Sequence, residues 1–420
     1  MDYLINLPFN HKPSTILHID LNSCFATIEQ QANPHLRGKP VVVAAYNSPA
    51  GCILAASIEA KKLGIKTGFR VKEGKLLCPA LVVLSSDPWK YRHVHLKLCN
   101  LLSSYIDIVT PKSIDEFVLD LEKSPVALRL GMIKTAEEIK RRIKEEIGEW
   151  LVVSIGIASN RFLAKTASNL DKPDGLREIN SHNYLEIFTN LKLMDLCGIK
   201  TANATRLNSM GIYTVLDFYH ASSLQLKGAF QSVCAYYWYL RLRGWEVDEI
   251  DFTRKSFGNS YALPKPLSTP EEISPIHQRL VEKTGERMRA SGFKACGIHL
   301  GLLYRDYSFW HQGLKVKMPL FDSREIYKSL FKILLSCPYR KPLRQIAESV
   351  FNLEPLGQSQ LELFSDTLKK ENLTKAIDKV NNKWGDFVIT PARMLGAKNQ
   401  VLDRISFGGV KELEEFVTIF

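Results

Sequence analysis

The sequence contains no Cys-x-x-Cys pair, although cysteine occurs eight times, at positions 24, 52, 78, 99, 197, 234, 296 and 337. A zinc ribbon is therefore excluded. Most of these cysteines lie in apolar runs such as Leu76-Leu77-Cys78 and Leu334-Leu335-Ser336-Cys337, which suits buried free thiols in a reducing compartment. No window approaches the roughly 18 consecutive apolar residues of a membrane span. The opening Met-Asp-Tyr-Leu-Ile-Asn has neither a basic region nor a long apolar stretch, so no signal peptide is expected. Internal repeats and low-complexity tracts are also missing. Together these absences point to a cytoplasmic protein without a membrane.

Acid is in deficit. The chain of 420 residues has a formal net charge of +12, with ordinary apolar (45%) and charged (24%) content. Two to four domains fit that length, and the basic excess favours a polyanionic partner, nucleic acid before membrane. The excess is uneven: residues 255–353 hold 16 Lys/Arg against 8 Asp/Glu.

The most informative stretch is Ser113-Ile-Asp-Glu-Phe-Val-Leu-Asp-Leu121. Phe117, Leu119 and Leu121 alternate onto one side of an extended strand, headed by Asp115 and Glu116. A carboxylate buried beside large apolar groups needs a cation or strong donors. A second apolar run ends alike, Ile16-Leu17-His18-Ile19-Asp20. If the two strands pair, three carboxylates meet at one sheet edge. That is a donor set for hard divalent cations and in-line phosphoryl transfer. Acidic residues at strand ends are also common turn-formers, and the pattern alone permits both.

Around these strands the spacing predicts α+β structure for the first 175 residues. Residues 1–14 read as a loose leader. Helices are expected over Ser23–Gln31, Ile58–Leu63, Tyr91–Ile108, Ile133–Ile147 and Phe162–Leu170. Strands are expected over 41–45, 52–55 and 151–158. Ser23 and Cys24 open a helix directly after Asp20, where backbone N–H groups attract phosphate. In residues 196–218 the Gly198-Ile199-Lys200 turn lies between helical stretches. It could hold one DNA phosphate or be an ordinary helical hairpin. A charged linker follows near 246–255. Beyond it come a helix over 272–290, strands over 295–303 and 313–318, and a helix over 323–335. Lys315 and Lys317 share one strand face, as expected for backbone contacts to duplex DNA.

Taken in order, these blocks resemble the Y-family translesion DNA polymerases of the polymerase IV and polymerase V catalytic-subunit type. The resemblance rests on Ile16–Glu29, Pro34-x-Leu36-x-Gly38-Lys39-Pro40, Glu59–Ile65 and Ser113-Ile114-Asp115-Glu116. Further blocks are Ser154–Ala158 with Asn160, Lys165 and Lys172-Pro173-x-Gly175, then Lys255-Ser256-Phe257-Gly258. It covers roughly residues 14–365 and implies a multidomain right-hand polymerase. The palm would be 14–31 and 88–178, the small fingers 32–87, and the helix-hairpin-helix thumb 179–249. A linker at 250–255 would precede an α/β little finger at 256–353 and a tail at 354–420.

The resemblance also implies roles. Asp20, Asp115 and Glu116 would be catalytic and, with the Leu21 carbonyl, would hold two Mg²⁺ ions, with Mn²⁺ as a substitute. Phe25 would be the steric gate against ribose. Leu21, Asn22, Ser23, Cys24, Phe25, Lys61 and Lys172 would bind the nucleotide. Gly198, Lys200, Lys255, Lys315 and Lys317 would contact DNA. Gln360, Leu361, Leu363 and Phe364 look like a sliding-clamp peptide. Primer-template DNA, dNTP and the clamp are the implied partners of a monomer, with room for a UmuD-like accessory protein. Asn22 stands for a frequent aspartate, Lys61 for a frequent arginine, and Ala55 and Ile58 for frequent hydroxyl residues, as in the polymerase V branch. The alternative is a non-catalytic relative serving as a DNA-repair scaffold; such relatives lose metal carboxylates.

Overall fold

The computed structural model describes residues 7–249, 254–356, 367–385, 387–397 and 401. The chain divides into two compact units, Met1–Ile250 with Arg404–Phe420, and Asp251–Asp403. The clamp-like peptide and the expected linker's core at 250–253 lie outside the described residues.

The first unit is built on a five-stranded sheet. Its order is Thr110–Pro111, Glu116–Asp120, Ile16–Leu21, Val153–Ala158, Leu176–Ile179. Ile16–Leu21 is central and antiparallel to both neighbours. Its alternation divides two cores. Leu17, Ile19 and Leu21 join Phe117 and Leu119 against Leu98 and Leu102 of the Pro88–Leu102 helix, and against Ala136 and Ile139 of the Met132–Arg142 helix. Ile16, Val118 and Ala158 face the other way, onto Phe162 and Leu163 of the Arg161–Leu170 helix. Gly156 is required there. A Cβ at this position would fall inside the Ala164 carbonyl, so only glycine lets that helix lie so close to the sheet. Asn160 caps the helix, its Oδ1 accepting from the Leu163 N–H at 2.7 Å.

A separate three-stranded sheet, Ile53–Ala56, Val41–Ala44 and Val82–Ser85, carries the short Ile58–Lys62 helix. Four helices between Thr201 and Leu242 complete the unit, with Gly198 and Gly211 at positive φ (87° and 77°) in the turns that sequence spacing marked. Several expectations change. Cys52 and Cys234 are exposed and only Cys24 and Cys337 are buried, and the helix expected over Tyr91–Ile108 spans Pro88–Leu102. Residues 7–14 are not loose: Phe9 is 3% exposed, and the Asn10 amide donates to the Gly244 carbonyl at 3.0 Å. In the Ile133–Ile147 stripe, Ala136, Ile139 and Ile143 are buried, but Ile133 is 40% exposed in the first turn.

The second unit has a four-stranded antiparallel sheet, ordered Phe309–Leu320, Phe293–Tyr304, Leu343–Pro355, Ser256–Leu267. Helices Pro270–Ala290 and Ser323–Ser336 cover one face through Leu280, Met288, Ile326 and Leu330. Thr269 and Glu272 form the capping box that starts the first of them. Residues 367–385 and 387–397, expected as part of a tail, pack onto these helices. The Thr367–Trp384 helix places Asp378 on Arg289 through two hydrogen bonds of 2.6 and 2.8 Å. Arg289 also donates to the Phe321 carbonyl and Ser323 Oγ. Lys294 pairs with Glu371 at 2.6 Å, and Met394 and Ala397 are buried. No sequence pattern marked this docking, because its anchor is one buried guanidinium. Arg289→Ala leaves the Asp378 carboxylate and the Phe321 carbonyl without their donor, at a cost of about 3 kcal/mol. The expected result is a lower urea midpoint and new protease cleavage between Thr367 and Trp384; an unchanged digestion pattern would refute the anchor.

Among the described residues, no helix is long and apolar enough to cross a membrane.

Candidate active site

The register of the central strands assembles the site. Asp20 lies directly opposite Glu116, and the Leu21 N–H donates to the Asp115 carbonyl at 2.9 Å. Paired residues in an antiparallel ladder point to the same face, so Asp20 and Glu116 converge. Asp115 sits just before the regular strand, in a turn closed by Lys112 N–H to Glu116 carbonyl at 2.8 Å. That turn takes Asp115 out of the regular alternation, which would send two consecutive carboxylates to opposite faces.

Each carboxylate has a partner. Lys172 Nζ is 2.6 Å from Asp20 Oδ2, Lys165 Nζ is 2.5 Å from Glu116 Oε2, and Ser113 Oγ donates to Asp115 Oδ1 at 2.5 Å. Burial, with a further push from Asp20 and Glu116, raises the Asp115 carboxyl to about 6, against the Ser113 hydrogen bond. His18 lies two residues before Asp20, on the same face. Its ring is 2% exposed, and its Nε2 is 3.7 Å from Glu116 Oε2 with no hydrogen-bond partner. Burial, then the charges of Lys165, Lys172 and Lys112, hold its imidazole down to about 3, hence neutral. Ligand atoms of His18, Asp20 and Glu116 all lie within 4.8 Å of one another. Half-buried carboxylates close to one another, beside a buried ring nitrogen without a partner, fit a divalent cation.

Asn22 is 4% exposed. Its Oδ1 accepts from Ser154 Oγ at 3.0 Å and from the Asp174 N–H at 2.9 Å. Its amide reaches back to the Asp20 carbonyl at 3.3 Å. It thus ties the loop that carries Lys172 to the strand that carries Asp20. Lys140 and Lys144, each 2.9 Å from Asp174, hold that loop from outside.

Ser23 adopts a left-handed conformation (φ 54°) between the first strand and the Cys24–Ala32 helix, and its buried Oγ has no partner. First-turn N–H groups of a helix have no intrahelical acceptor, so this corner presents donors to an anion. Burial, then the Asp115 and Asp20 charges, raise the Cys24 thiol far above its ordinary range; it stays protonated. Burial and the Lys172 charge lower the Lys61 ammonium, while Asp20 and Asp115 oppose them. Lys61, Lys172 and the acidic pair therefore share one neighbourhood. Phe25 is 1% exposed and stacks on Tyr91, ring centroids 4.2 Å apart.

The expected DNA contacts are divided between the two compact units. Gly198 and Lys200 open the Thr201–Asn208 helix. Lys255 is exposed, and Lys315 and Lys317 are exposed on one face of the Phe309–Leu320 strand. His18, Ser113 and Ser154 carried no expectation. For His18 the signal was present, since strand alternation puts residue 18 on the face of residue 20.

The chain matches the impB/mucB/samB family over residues 19–169, and that family's C-terminal domain over residues 254–363. It is 30% identical to the DNA polymerase IV of Bacillus velezensis over 387 residues, 90% of this chain and 92% of that protein. It is 31% identical to the DNA polymerase IV of Staphylococcus haemolyticus over 353 residues, 83% of this chain and 97% of that one. Among solved structures, the Y-family DNA polymerase chimera Dbh-Dpo4-Dbh matches with a TM-score of 0.71 at 26% identity, covering 80% of this chain and 98% of that one. The Asp20–Glu116 register pair with Asp115 beside it and likeness over nearly the whole length of these polymerases lead to one assignment: the chain belongs to the impB/mucB/samB family, the Y-family DNA polymerases.

Proposed function

We propose that this enzyme extends a primer on template DNA from dNTP, with low fidelity and past damaged bases, through a two-cation site on Asp20, Asp115, Glu116 and the Leu21 carbonyl. The observation that carries the proposal is the Asp20–Glu116 register pair with Asp115 beside it. Two Mg²⁺ ions there would activate the primer 3′-hydroxyl and neutralise the departing pyrophosphate. The chain's own residues do the rest. Lys172 and Lys61 give positive charge for a triphosphate. Ser23 and the helix start after it offer donors to the phosphates. Before a cation enters, Lys165 holds Glu116 in place. Phe25 closes the site beneath the sugar. Gly198, Lys200, Lys255, Lys315 and Lys317 meet the DNA backbone without reading sequence. Gln360, Leu361, Leu363 and Phe364 engage a sliding clamp.

The scaffold alternative calls for lost carboxylates, and all three are present. Incubation with primer-template, Mg²⁺ and four deoxynucleotides tests the proposal. Elongation that stops on chelation is expected. Shortening of the primer, or no change at all, would overturn it.

Asn22 gives a second expected result. Asn22→Ala leaves the buried Ser154 hydroxyl and the Asp174 N–H without their acceptor, costing about 2 kcal/mol, and frees the Lys172 loop. The KM for dNTP should rise on the order of tenfold while kcat falls less, because nucleotide binding loses more than the chemical step. An equal loss in kcat alone would contradict this role.

A further inference from the structure

Strand alternation, a glycine and an unsatisfied nitrogen meet at His18. The residue is paired across the sheet with Gly156 on one side and Val118 on the other. Gly156 brings no side chain to that face, and the imidazole lies under the acidic edge. Its Nε2 is buried and has no hydrogen-bond partner. A buried polar atom without a partner is costly, and the nearest candidate, Glu116 Oε2 at 3.7 Å, is already engaged by Lys165. Donor atoms around one tetrahedral cation stand roughly 3.3 Å apart, given ligand distances near 2 Å. The His18–Glu116 separation is within a small side-chain adjustment of that.

We infer that His18 is a third protein ligand for a cation held by Asp20 and Glu116, and that its nitrogen biases this position toward transition-metal divalent ions over Mg²⁺. The inference rests on the assignment of Asp20 and Glu116 as metal ligands. Carboxylates alone suit Mg²⁺, which takes oxygen donors almost exclusively. One imidazole in the set adds a donor that Mn²⁺, Co²⁺ and Zn²⁺ accept and Mg²⁺ does not. The entering cation displaces the Lys165 ammonium from Glu116 Oε2 or turns the carboxylate to its other oxygen.

The test uses the full-length protein and Mn²⁺ alone, followed by electron paramagnetic resonance. Pulsed spectra of the wild-type complex are expected to show modulation from a directly bound histidine nitrogen. His18→Leu should lose that modulation and weaken Mn²⁺ binding about tenfold, while Mg²⁺ affinity, read by competition, changes less than about twofold. Asp20→Asn should weaken both ions. Mn²⁺ bound without nitrogen modulation, or with equal affinity in His18→Leu, overturns the role of His18 and leaves the carboxylate assignment standing. Failure of the wild type to bind Mn²⁺, or binding indifferent to Asp20→Asn, overturns both. If His18→Leu does not fold, the wild-type spectrum decides by itself.

Discussion

Replacing Asp115 by asparagine is expected to abolish primer extension and, at the same time, to make the cation-free protein more stable. The first effect follows from charge. A metal-held carboxylate contributes several kcal/mol to the transition state, and each 1.4 kcal/mol or so is tenfold in rate, so the loss should be on the order of 10³-fold or more. The second follows from burial. Asp115 ionises near 6 in the fold, against 3.8 for an ordinary aspartate, because burial and the negative charges of Asp20 and Glu116 disfavour its charged form. A carboxyl raised in this way favours the fold below about pH 4. That contribution is lost as pH climbs through 6, where the native state must charge a group that the unfolded chain charges freely. The difference is about 3 kcal/mol at pH 8. Asparagine keeps the acceptor for Ser113 and carries no charge. Its Tm without divalent cations should exceed wild type by about 5 °C at pH 8, and the gap should close toward pH 4. Adding Mg²⁺ should raise the wild type more than the variant, which keeps Asp20 and Glu116 but lacks the third carboxylate. Normal extension by the variant, or a Tm difference independent of pH, would contradict the assignment.

The same three carboxylates show what sequence reasoning reaches and where it stops. Asp20 and Glu116 were legible because alternation is a local property: each ends an apolar run that reads as a strand, and pairing two such strands brings their ends together. The helices over 24–32 and 161–170 were legible from spacing, and Gly198 and Gly211 from their turns. The supports were not. Ser154, Asp174 and Asn22 are far apart in the chain and meet only through the register of a parallel and an antiparallel neighbour. Asn22 therefore read as a nucleotide contact alone, and its bridge between the Asp20 strand and the Lys172 loop was not foreseen. The docking of residues 367–385 and 387–397 was hidden for a related reason. Its helix is polar on most faces, and its attachment depends on Arg289, which in sequence is one more cation on a basic helix. Contacts made by a single buried charge leave no periodic trace.

Phe25→Ala is expected to admit ribonucleotides. The ring follows the left-handed corner at Ser23 and is stacked on Tyr91, whose hydroxyl donates to Glu29 at 2.9 Å, with Lys90 on the other Glu29 oxygen at 2.8 Å. The stack restrains the ring, so a 2′-hydroxyl placed above it would meet a wall. Discrimination of this kind comes from repulsion and not from any bond to the correct sugar. A clash of about 3 kcal/mol corresponds to roughly a hundredfold preference, which the alanine variant should lose. Truncation also costs stability, about 3–5 kcal/mol for a buried phenylalanine, so raw activity is a poor readout. The ratio of kcat/KM for a ribonucleotide and its deoxyribonucleotide is independent of the active fraction and isolates the gate. Tyr91→Leu keeps the ring but removes its platform, and should relax the ratio by a smaller factor. Destabilisation of both variants with an unchanged ratio would mean that Phe25 is a core residue and that sugar selection lies elsewhere.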